Sequence, residues 1–406
     1  MIYFKNVELA EKYHVSLGTV RNWIRAAAEN KLALTLHTEG ERMFIANTSS
    51  NLAVIEQLVS KGKKYRNTKA AKEVAPRAEF YKLYNQAQIY DIVNNLETHH
   101  EVPRQYNYFG GGANNWDRYS QKLASEVTPN VLTRTIELLG DNRSYLDKLL
   151  ASYKRVNVVD IGPGNAFPAR DLLGHLLDQK KLGRYIAVDI SSVMIEIARR
   201  NIGQWFNHKV PFEGFQADIT HERFGSLLAE EYLQDGNETI SLILFLGGTP
   251  VNLRKPDRAF ETINDSMNRH DLLVYTDKLD SEASRNYFDF NPGADASRLA
   301  PNHRFIFDLL NIDESFYDVE RGFDQRRGHR YIRVRLKVAL RINFSFDIGE
   351  HSVELEKGET ILLWRAWEVS AQDIIDQQER TDFHVLQASQ SEDQGYILTV
   401  SRVKAE

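Results

Sequence analysis

Residues 156–165 have the sequence VNVVDIGPGN, and this stretch decides the fold. It begins as an apolar strand and turns through the spacing Asp-x-Gly-x-Gly at Asp160, Gly162 and Gly164, before a helix that begins near residue 169. Glycines are needed where a cofactor lies against bare backbone at the carboxyl end of a strand. The spacing differs from the Gly-x-Gly-x-x-Gly turn of dinucleotide-binding proteins. We therefore expect a cofactor site of another kind at this turn.

The next strands also end in polar or glycine residues. The strand at 185–188 is followed by Asp189, whose carboxylate can accept protons from both hydroxyls of a ribose, and a third strand ends in Asp218, which can receive an adenine amino group. A fourth strand ends in Gly247. Strands alternating with helices predict a parallel α/β sheet, and these side chains predict an adenosine-containing cofactor. A Rossmann-like domain that binds another nucleotide, or none, is the alternative.

The glycine turn, followed along the chain by Asp189 and then Asp218, resembles the cofactor-binding motifs of the class I S-adenosylmethionine-dependent methyltransferases. The resemblance covers about residues 105–406. The resemblance implies an α/β fold with a Rossmann-like class I methyltransferase sheet, and S-adenosylmethionine as the cofactor. It also implies that the donor is bound by Asp160, Gly162, Gly164, Asp189, Asp218 and Gly247. Methyl transfer from a sulfonium needs no metal ion, so we expect none.

Three further motifs narrow the resemblance: FLGGTPVNL at 245–253, YTDKLD at 275–280 and FYDVERGF at 316–323. They resemble the histidine-specific methyltransferases of ergothioneine synthesis. That family carries a C-terminal β-rich substrate lobe, which the alternating strands after residue 328 would supply. The resemblance implies that Asn252 holds the amino-acid group of the acceptor and that Tyr287 lies near the amine that receives the methyl group.

The acceptor end departs from that family. The family grips the imidazole with a Glu-x-Ser pair, and counting from the Gly-Glu pair at 358–359 places Trp364 and Ala366 there. A second Glu-x-Ser occurs at 368–370, but Ser370 suits the N-cap of the helix that follows. We expect a small-molecule acceptor, an amine or amino-acid-like compound with an apolar or aromatic group, and not histidine.

The N-terminal segment has a separate pattern. ELAEKYHVSLGTVRNWI, followed by two short strands around a glycine turn, resembles the winged helix-turn-helix of MerR-like and excisionase-like DNA-binding proteins. Ser16 is placed to cap the second helix. In the winged helix-turn-helix that this implies, the residues that contact duplex DNA are Thr19, Arg21, Asn22, Arg25 and Arg42. A module for protein contact or dimerisation is the alternative.

The charge distribution suggests an anionic partner for the N-terminal segment, which comprises the helix-turn-helix head and the linker after it. Residues 1–76 hold 12 Lys and Arg against 7 Asp and Glu, a net charge of +5, whereas the whole chain carries -5. We expect residues 1–60 to bind DNA as a homodimer on a two-fold site. Residues 77–100 could supply the pairing helices, or they could pack on the methyltransferase core.

The sequence predicts five segments. They are a winged helix-turn-helix at 1–60, a basic linker at 61–76, a helical part at 77–150, the cofactor-binding core at 151–280, and the substrate lobe with the final strands at 281–406. The chain has no cysteine and no apolar run long enough to span a membrane, so we expect a cytoplasmic protein without membrane partners.

Two local patterns and the overall function each have two interpretations. The aromatic residues between 106 and 116 could form a lid over the cofactor or pack in a core. The basic residues between 326 and 330 could form a solvated hairpin end or grip a phosphate or carboxylate. The chain is expected to be a methyltransferase with a regulatory DNA-binding head; the alternative is a transcriptional regulator whose methyltransferase-like domain senses a ligand without turnover.

Overall fold

The computed structural model describes residues 3–13, 15–39, 42–66, 71–126, 129–229, 238–247, 249–280, 297–347 and 349–404. The helices are α1 (Asn6–Tyr13), α2 (Leu17–Ala28), α3 (Ser49–Arg66), α4 (Ala78–Leu83), α5 (Gln86–His99), α6 (Gly111–Ser125), α7 (Val131–Asp141), α8 (Arg143–Leu149), α9 (Arg170–Asp178), α10 (Ser192–Trp205), α11 (Thr249–Asn252), α12 (Pro256–Asn264), α13 (Pro301–Leu309) and α14 (Ala371–Arg380). The strands are β1 (Leu36–Glu39), β2 (Arg42–Ile45), β3 (Lys72–Val74), β4 (Arg155–Ile161), β5 (Leu182–Asp189), β6 (Phe212–Gln216), β7 (Thr239–Phe245), β8 (Leu272–Lys278), β9 (Tyr317–Asp324), β10 (His329–Leu336), β11 (Leu340–Phe346), β12 (Gly349–Leu355), β13 (Thr360–Trp367), β14 (Phe383–Gln390) and β15 (Tyr396–Val403).

Contacts group the chain into two compact units. The first contains residues 1–102, 307–318 and 334–362, and the second contains residues 103–306, 319–333 and 363–406. This grouping differs from the five consecutive segments expected from the sequence, because strands from the C-terminal half complete both units.

The head of the first unit has the elements that the sequence predicts. Helices α1 and α2 precede the antiparallel hairpin β1–β2. The Thr19 N–H donates to Ser16 Oγ at 3.0 Å, which confirms Ser16 as the N-cap of α2. One side of α2 is buried in a small core that also includes Ile55 of α3; the α2 residues of this core are Val20, Trp23, Ile24 and Ala27.

The stretch expected to be a linker contains regular structure at both ends. Residues 61–66 continue α3, and Lys72–Val74 form β3, which pairs in parallel with β11 at Leu340–Ile342. Residues 67–70 lie outside the described part of the chain. A basic, apolar-poor sequence gives no local sign of a strand whose partner lies so far along the chain.

The second unit is built on a seven-stranded mixed sheet in the order β14-β15-β8-β7-β4-β5-β6. Strands β4 to β8 pair in parallel, and β15 runs antiparallel to β8. Buried side chains of α7 to α10 cover one side of the sheet, and those of α12 and α14 cover the other. The predicted α/β sheet is confirmed, and the last two strands belong to it.

Additional strands provide the C-terminal β structure that the sequence predicts. Strands β12, β11 and β3 form one three-stranded sheet, and β13, β10 and β9 form another. The predicted N-cap of α14 is confirmed, because Ser370 Oγ accepts the N–H of Asp373 at 3.1 Å. Within the described ranges, every helix is too short or too polar to cross a membrane.

Candidate functional site

The glycine turn after β4 leaves bare backbone at the mouth of a cavity. Gly162 and Gly164 adopt left-handed φ angles of +62° and +57°, which side chains rarely tolerate. A Cβ atom added at Gly164 would lie 3.0 Å from Nε1 of Trp116, and one added at Gly162 would lie 3.6 Å from Oγ1 of Thr249. Both glycines line the cavity. The turn therefore fits a cofactor that approaches the backbone closely.

The two predicted acids of the adenosine site line the same cavity. Asp189 ends β5 with 9% of its surface exposed and accepts the Ser191 N–H at 2.8 Å. Burial raises the pKa of Asp189 to about 7. Asp218 follows β6 and accepts the N–H and the hydroxyl of Thr220 at 2.9 and 2.6 Å. These contacts orient both carboxylates at the carboxyl ends of neighbouring strands.

Gly247 and Asp160 are the other two residues predicted to bind the donor, and only Gly247 lines the cavity. Gly247 lines the cavity with a φ of +82°, and its N–H donates to Oγ1 of Thr276 at 3.1 Å. Asp160 is buried in β4, where it accepts the Tyr185 hydroxyl at 2.7 Å, and it is not part of the cavity lining. Burial raises the pKa of Asp160 to about 7. Asp160 therefore bonds to the neighbouring strand β5 and does not line the cavity.

The predicted acceptor residues form another part of the cavity wall. Asn252 ends α11, while Trp364 and Ala366 project from β13, and all three line the cavity. Trp367 lines it as well, and its indole N–H donates to the carbonyl oxygen of Leu253 at 2.8 Å. This bond fixes Trp367 next to Asn252. Tyr287 lies outside the described residues.

The sequence did not predict Trp367 as a site residue, and it placed Arg330 in a group of basic residues that could form a solvated hairpin end. Of the basic residues between 326 and 330, Arg326 and Arg327 are exposed, as a solvated hairpin end requires. Arg330 is only 5% exposed and lines the cavity. The signal was present in β10, where Arg330 shares alternate burial with Ile332, Val334 and Leu336.

Of the aromatic residues between 106 and 116, two pack in a core and two line the cavity. Tyr106 and Phe109 are buried and pack against each other, with ring centroids 6.1 Å apart. Tyr108 and Trp116 instead line the cavity. The Tyr108 hydroxyl accepts Nε–H of Arg104 at 3.1 Å, which anchors this aromatic wall.

The sheet order with an antiparallel final strand, the left-handed glycine turn and the acids after β5 and β6 define a class I S-adenosylmethionine-dependent methyltransferase. The model of the family described as "histidine-specific methyltransferase, SAM-dependent" matches residues 90–403. The chain belongs to this family, and S-adenosylmethionine is its methyl donor.

Solved structures similar to this chain include other methyltransferases. An S-adenosylmethionine-dependent methyltransferase from Clostridium acetobutylicum is 10% identical, with 72% of this chain and 99% of that chain covered and a TM-score of 0.41. The CcbJ methyltransferase from Streptomyces caelestis is 12% identical, with 71% and 98% covered and a TM-score of 0.35. The glycopeptide N-methyltransferase MtfA, complexed with S-adenosylmethionine, is 11% identical, with 66% and 94% covered and a TM-score of 0.33. A comparison with curated proteins found no match.

The raised pKa of Asp189 predicts that donor-site affinity depends on pH. An ionised carboxylate accepts ribose hydroxyls, whereas a carboxyl with a pKa of about 7 is mostly protonated in the free protein at pH 6. The dissociation constant of S-adenosylhomocysteine should therefore rise about tenfold between pH 8 and pH 6. Calorimetry across this range measures it. Asp189→Asn should flatten the profile, and a flat profile in the unaltered protein would contradict the assignment.

Proposed function

We propose that this enzyme methylates a small amine or amino-acid-like molecule with an apolar or aromatic group, and that histidine is not its acceptor. The observation that carries the proposal is the wall formed by Trp364 and Ala366, which line the cavity where the family resemblance implies an imidazole grip. An indole and a methyl group cannot replace the hydrogen bonds that a carboxylate and a hydroxyl make to an imidazole. They suit an apolar surface instead.

In this proposal, separate groups of residues bind the donor, position the acceptor and exclude water. The backbone at Gly162 and Gly164, with Asp189 and Asp218, would hold the adenosine end of the donor, which supplies an activated methyl group. On the acceptor side, Asn252 would position the amino-acid-like group. The aromatic side chains that line the cavity would exclude water, and methyl transfer then depends mainly on alignment of the acceptor nitrogen.

Labelled methyl transfer tests this proposal directly. The full chain is incubated with S-adenosylmethionine labelled in its methyl group and with small-molecule extracts, and labelled products are identified by mass spectrometry. A labelled amine other than a histidine derivative is the expected product. If the protein binds the donor but labels nothing, its role would instead be ligand sensing without turnover.

We also propose that residues 1–60 form a winged helix-turn-helix that binds duplex DNA. Arg21, Asn22 and Arg25 are exposed on α2, opposite the side that the head buries. The β1–β2 hairpin, with Arg42 at the start of its second strand, would serve as the wing. Thr19 is less accessible, because its hydroxyl lies 3.0 Å from Ser16 Oγ in the helix cap. A homodimer would match two such heads to a two-fold site.

DNA binding by the full chain should depend on the exposed arginines of α2. Arg21→Ala and Arg25→Ala should each weaken binding severalfold and lower the salt dependence by about one counterion. A mobility-shift assay on sequences selected from a random pool, at several salt concentrations, measures both. Lys31→Ala is the control, because Lys31 pairs with Glu29 beyond the end of α2, at 2.7 Å. Equal binding by all three variants would leave the head as a protein-contact module.

A further inference from the structure

Among the residues that the structure describes, three carboxylates line the cavity, and the proposed function uses two of them. Asp189 and Asp218 belong to the adenosine side. The third is Asp277, the residue before the last of β8, which has only 2% of its surface exposed. Buried carboxylates in a binding cavity often take part in proton transfer. Asp277 therefore needs a role of its own.

The strand order places Asp277 on the opposite side of the cavity from the adenosine site. Strand β8 is separated from β5 by β7 and β4. Neighbouring strands lie about 4.8 Å apart, so the ends of β8 and β5 are roughly 14 Å apart along the edge of the sheet. The strand beside β8 is β7, which leads through Gly247 to Asn252, the residue proposed to hold the acceptor. Asp277 thus lies on the acceptor side.

The chain just after β8 is bonded to the wall that contains the acceptor residues. The Asp280 N–H donates to the carbonyl oxygen of Val369 at 2.9 Å, two residues after Trp367. The Trp367 indole in turn bonds to Leu253, the neighbour of Asn252. These bonds join the segment after Asp277, the end of β13 and α11 around one part of the cavity.

Two hydrogen bonds from its own strand hold the Asp277 carboxylate in place. Oδ1 accepts the Lys278 N–H at 2.6 Å, and Oδ2 accepts the hydroxyl of Tyr275, which is itself fully buried. The two oxygens of a carboxylate can accept about four hydrogen bonds in total. The two observed bonds therefore orient the group and leave it able to accept a proton.

The environment of Asp277 gives it a pKa suited to proton transfer. Burial raises the pKa of Asp277 to about 7, although the bonds from Tyr275 and Lys278 and the charge of Lys278 lower it. An alkyl ammonium titrates near pH 10, so an amine acceptor is mostly protonated in neutral solution. A general base is most effective when its pKa is close to the working pH.

Charged and titratable groups from other elements also face the cavity. They are Asp189, Asp218, Arg104, Arg330, Tyr108, Tyr119 and Tyr396. A substitution of Asp277 or of its partner Tyr275 leaves all of them in place. A pH profile that differs between such variants is therefore caused by the Asp277 carboxylate and the hydroxyl bonded to it.

We propose that Asp277 is the general base that removes a proton from the ammonium group of the methyl acceptor. This inference rests on the proposed function, since it assumes an amine acceptor. The proton moves from the acceptor nitrogen to a carboxylate oxygen of Asp277. The lone pair left on the nitrogen forms the new C–N bond to the methyl carbon, while the C–S bond breaks and its electron pair stays on the sulfur. The Asp277 carboxyl releases its proton to solvent after the product leaves.

The pH profile of methyl transfer tests this role. The full chain receives a saturating concentration of methyl-labelled S-adenosylmethionine and a small-molecule extract as the acceptor, and initial rates of amine labelling are measured from pH 6 to pH 9.5. The rate of the unaltered protein should rise about tenfold between pH 6 and pH 8 and then level off, as Asp277 becomes ionised. Saturation with the donor keeps the titration of Asp189 out of the profile.

Variants connect the profile to Asp277. Asp277→Asn should lower the rate at pH 7.5 about a hundredfold, because only the small unprotonated fraction of the amine can react, and the deficit should shrink to less than tenfold at pH 9.5. Tyr275→Phe removes a bond that lowers the pKa of Asp277, so the rising part of the profile should move to higher pH. Asp178→Asn alters an exposed carboxylate outside the cavity lining and should keep the original profile.

Each result has a defined meaning for Asp277. Calorimetry with S-adenosylhomocysteine shows whether a variant is folded. A folded Asp277→Asn protein whose rate falls equally at every pH would show a structural role and refute the general base. If Asp277→Asn does not fold, Tyr275→Phe decides, and a profile that it leaves unshifted contradicts the proposal.

These results are separable from those for the proposed function. Labelled amines from the unaltered protein, with a profile that Asp277→Asn leaves unchanged, would refute the role of Asp277 while the proposed function stands. A protein that binds S-adenosylhomocysteine but labels no amine at any pH would refute the proposed function, and the role of Asp277 would be refuted with it.

Discussion

Asp189→Ala should weaken binding of S-adenosylmethionine at least tenfold. Asp189 is the last residue of β5 and lines the cavity, where we expect its carboxylate to accept both ribose hydroxyls. Each charge-assisted hydrogen bond that is lost costs about 1.5–3 kcal/mol, and about 1.4 kcal/mol corresponds to a factor of ten in affinity. Calorimetric titration of the purified variant with the donor or with S-adenosylhomocysteine gives the change.

Two further variants separate this effect from a change in the fold. Asp189→Asn keeps an oxygen that can accept the Ser191 N–H, which the native side chain accepts at 2.8 Å, and it should lose less affinity than the alanine variant. Asp178→Ala removes an exposed carboxylate at the end of α9 and should bind as the unaltered protein does. Unchanged donor affinity in folded Asp189→Ala would show that β5 does not hold the ribose.

Histidine should be a poor substrate, converted at least a hundredfold less efficiently than the natural acceptor. A site that hydrogen-bonds a polar group can discriminate by several orders of magnitude. The side chain of Trp364 has one N–H donor and no acceptor, and that of Ala366 has neither, so they cannot reproduce the pair of bonds that a carboxylate and a hydroxyl make to an imidazole. Mass spectrometry of reactions with histidine and labelled donor would detect mono-, di- and trimethylated products. Labelling of a small-molecule extract by the same preparation shows that the enzyme is active.

Rapid formation of trimethylhistidine would refute this prediction and the identity proposed for the acceptor wall. A double variant, Trp364→Glu with Ala366→Ser, asks the converse question. If these positions decide acceptor choice, the variant should convert more histidine than the unaltered protein. Membership of the family shows the fold and the donor, whereas the double variant tests whether the side chains at positions 364 and 366 decide the acceptor.

The donor half of the site could be predicted from sequence because its signals are local. Gly162 directly follows β4, Asp189 is the last residue of β5, and Asp218 lies two residues after the end of β6. Parallel strands bring their carboxyl ends to one edge of the sheet. Order along the chain therefore predicts nearness in space. The resemblance also pointed to Asp160, but this residue is buried within β4, accepts the Tyr185 hydroxyl and does not line the cavity.

The residues on the acceptor side of the cavity are brought together by pairing between strands that are distant in the sequence. The pattern of a single sequence does not predict which distant strands pair. Trp364 and Ala366 could be placed only by resemblance, and Trp367 was missed because its role depends on a bond to Leu253 in another loop. Arg330 lay within a run of basic residues that is typical of a solvated turn, although the alternation of β10 indicated burial. The parallel pairing of β3 with β11 was hidden for the same reason.

The second unit is assembled from segments that the ribosome makes at different times, residues 103–306, 319–333 and 363–406. The turn that carries Gly162 is made early, but Trp364 and Ala366 belong to the last tenth or so of the chain, as does β15, which lies between β14 and β8 in the sheet. Contacts between such distant segments form late and slowly. A nascent chain that lacks these segments has neither the complete seven-stranded sheet nor the side of the cavity that Trp364 and Ala366 line, so we expect methylation to begin only after these segments have been synthesised and have folded.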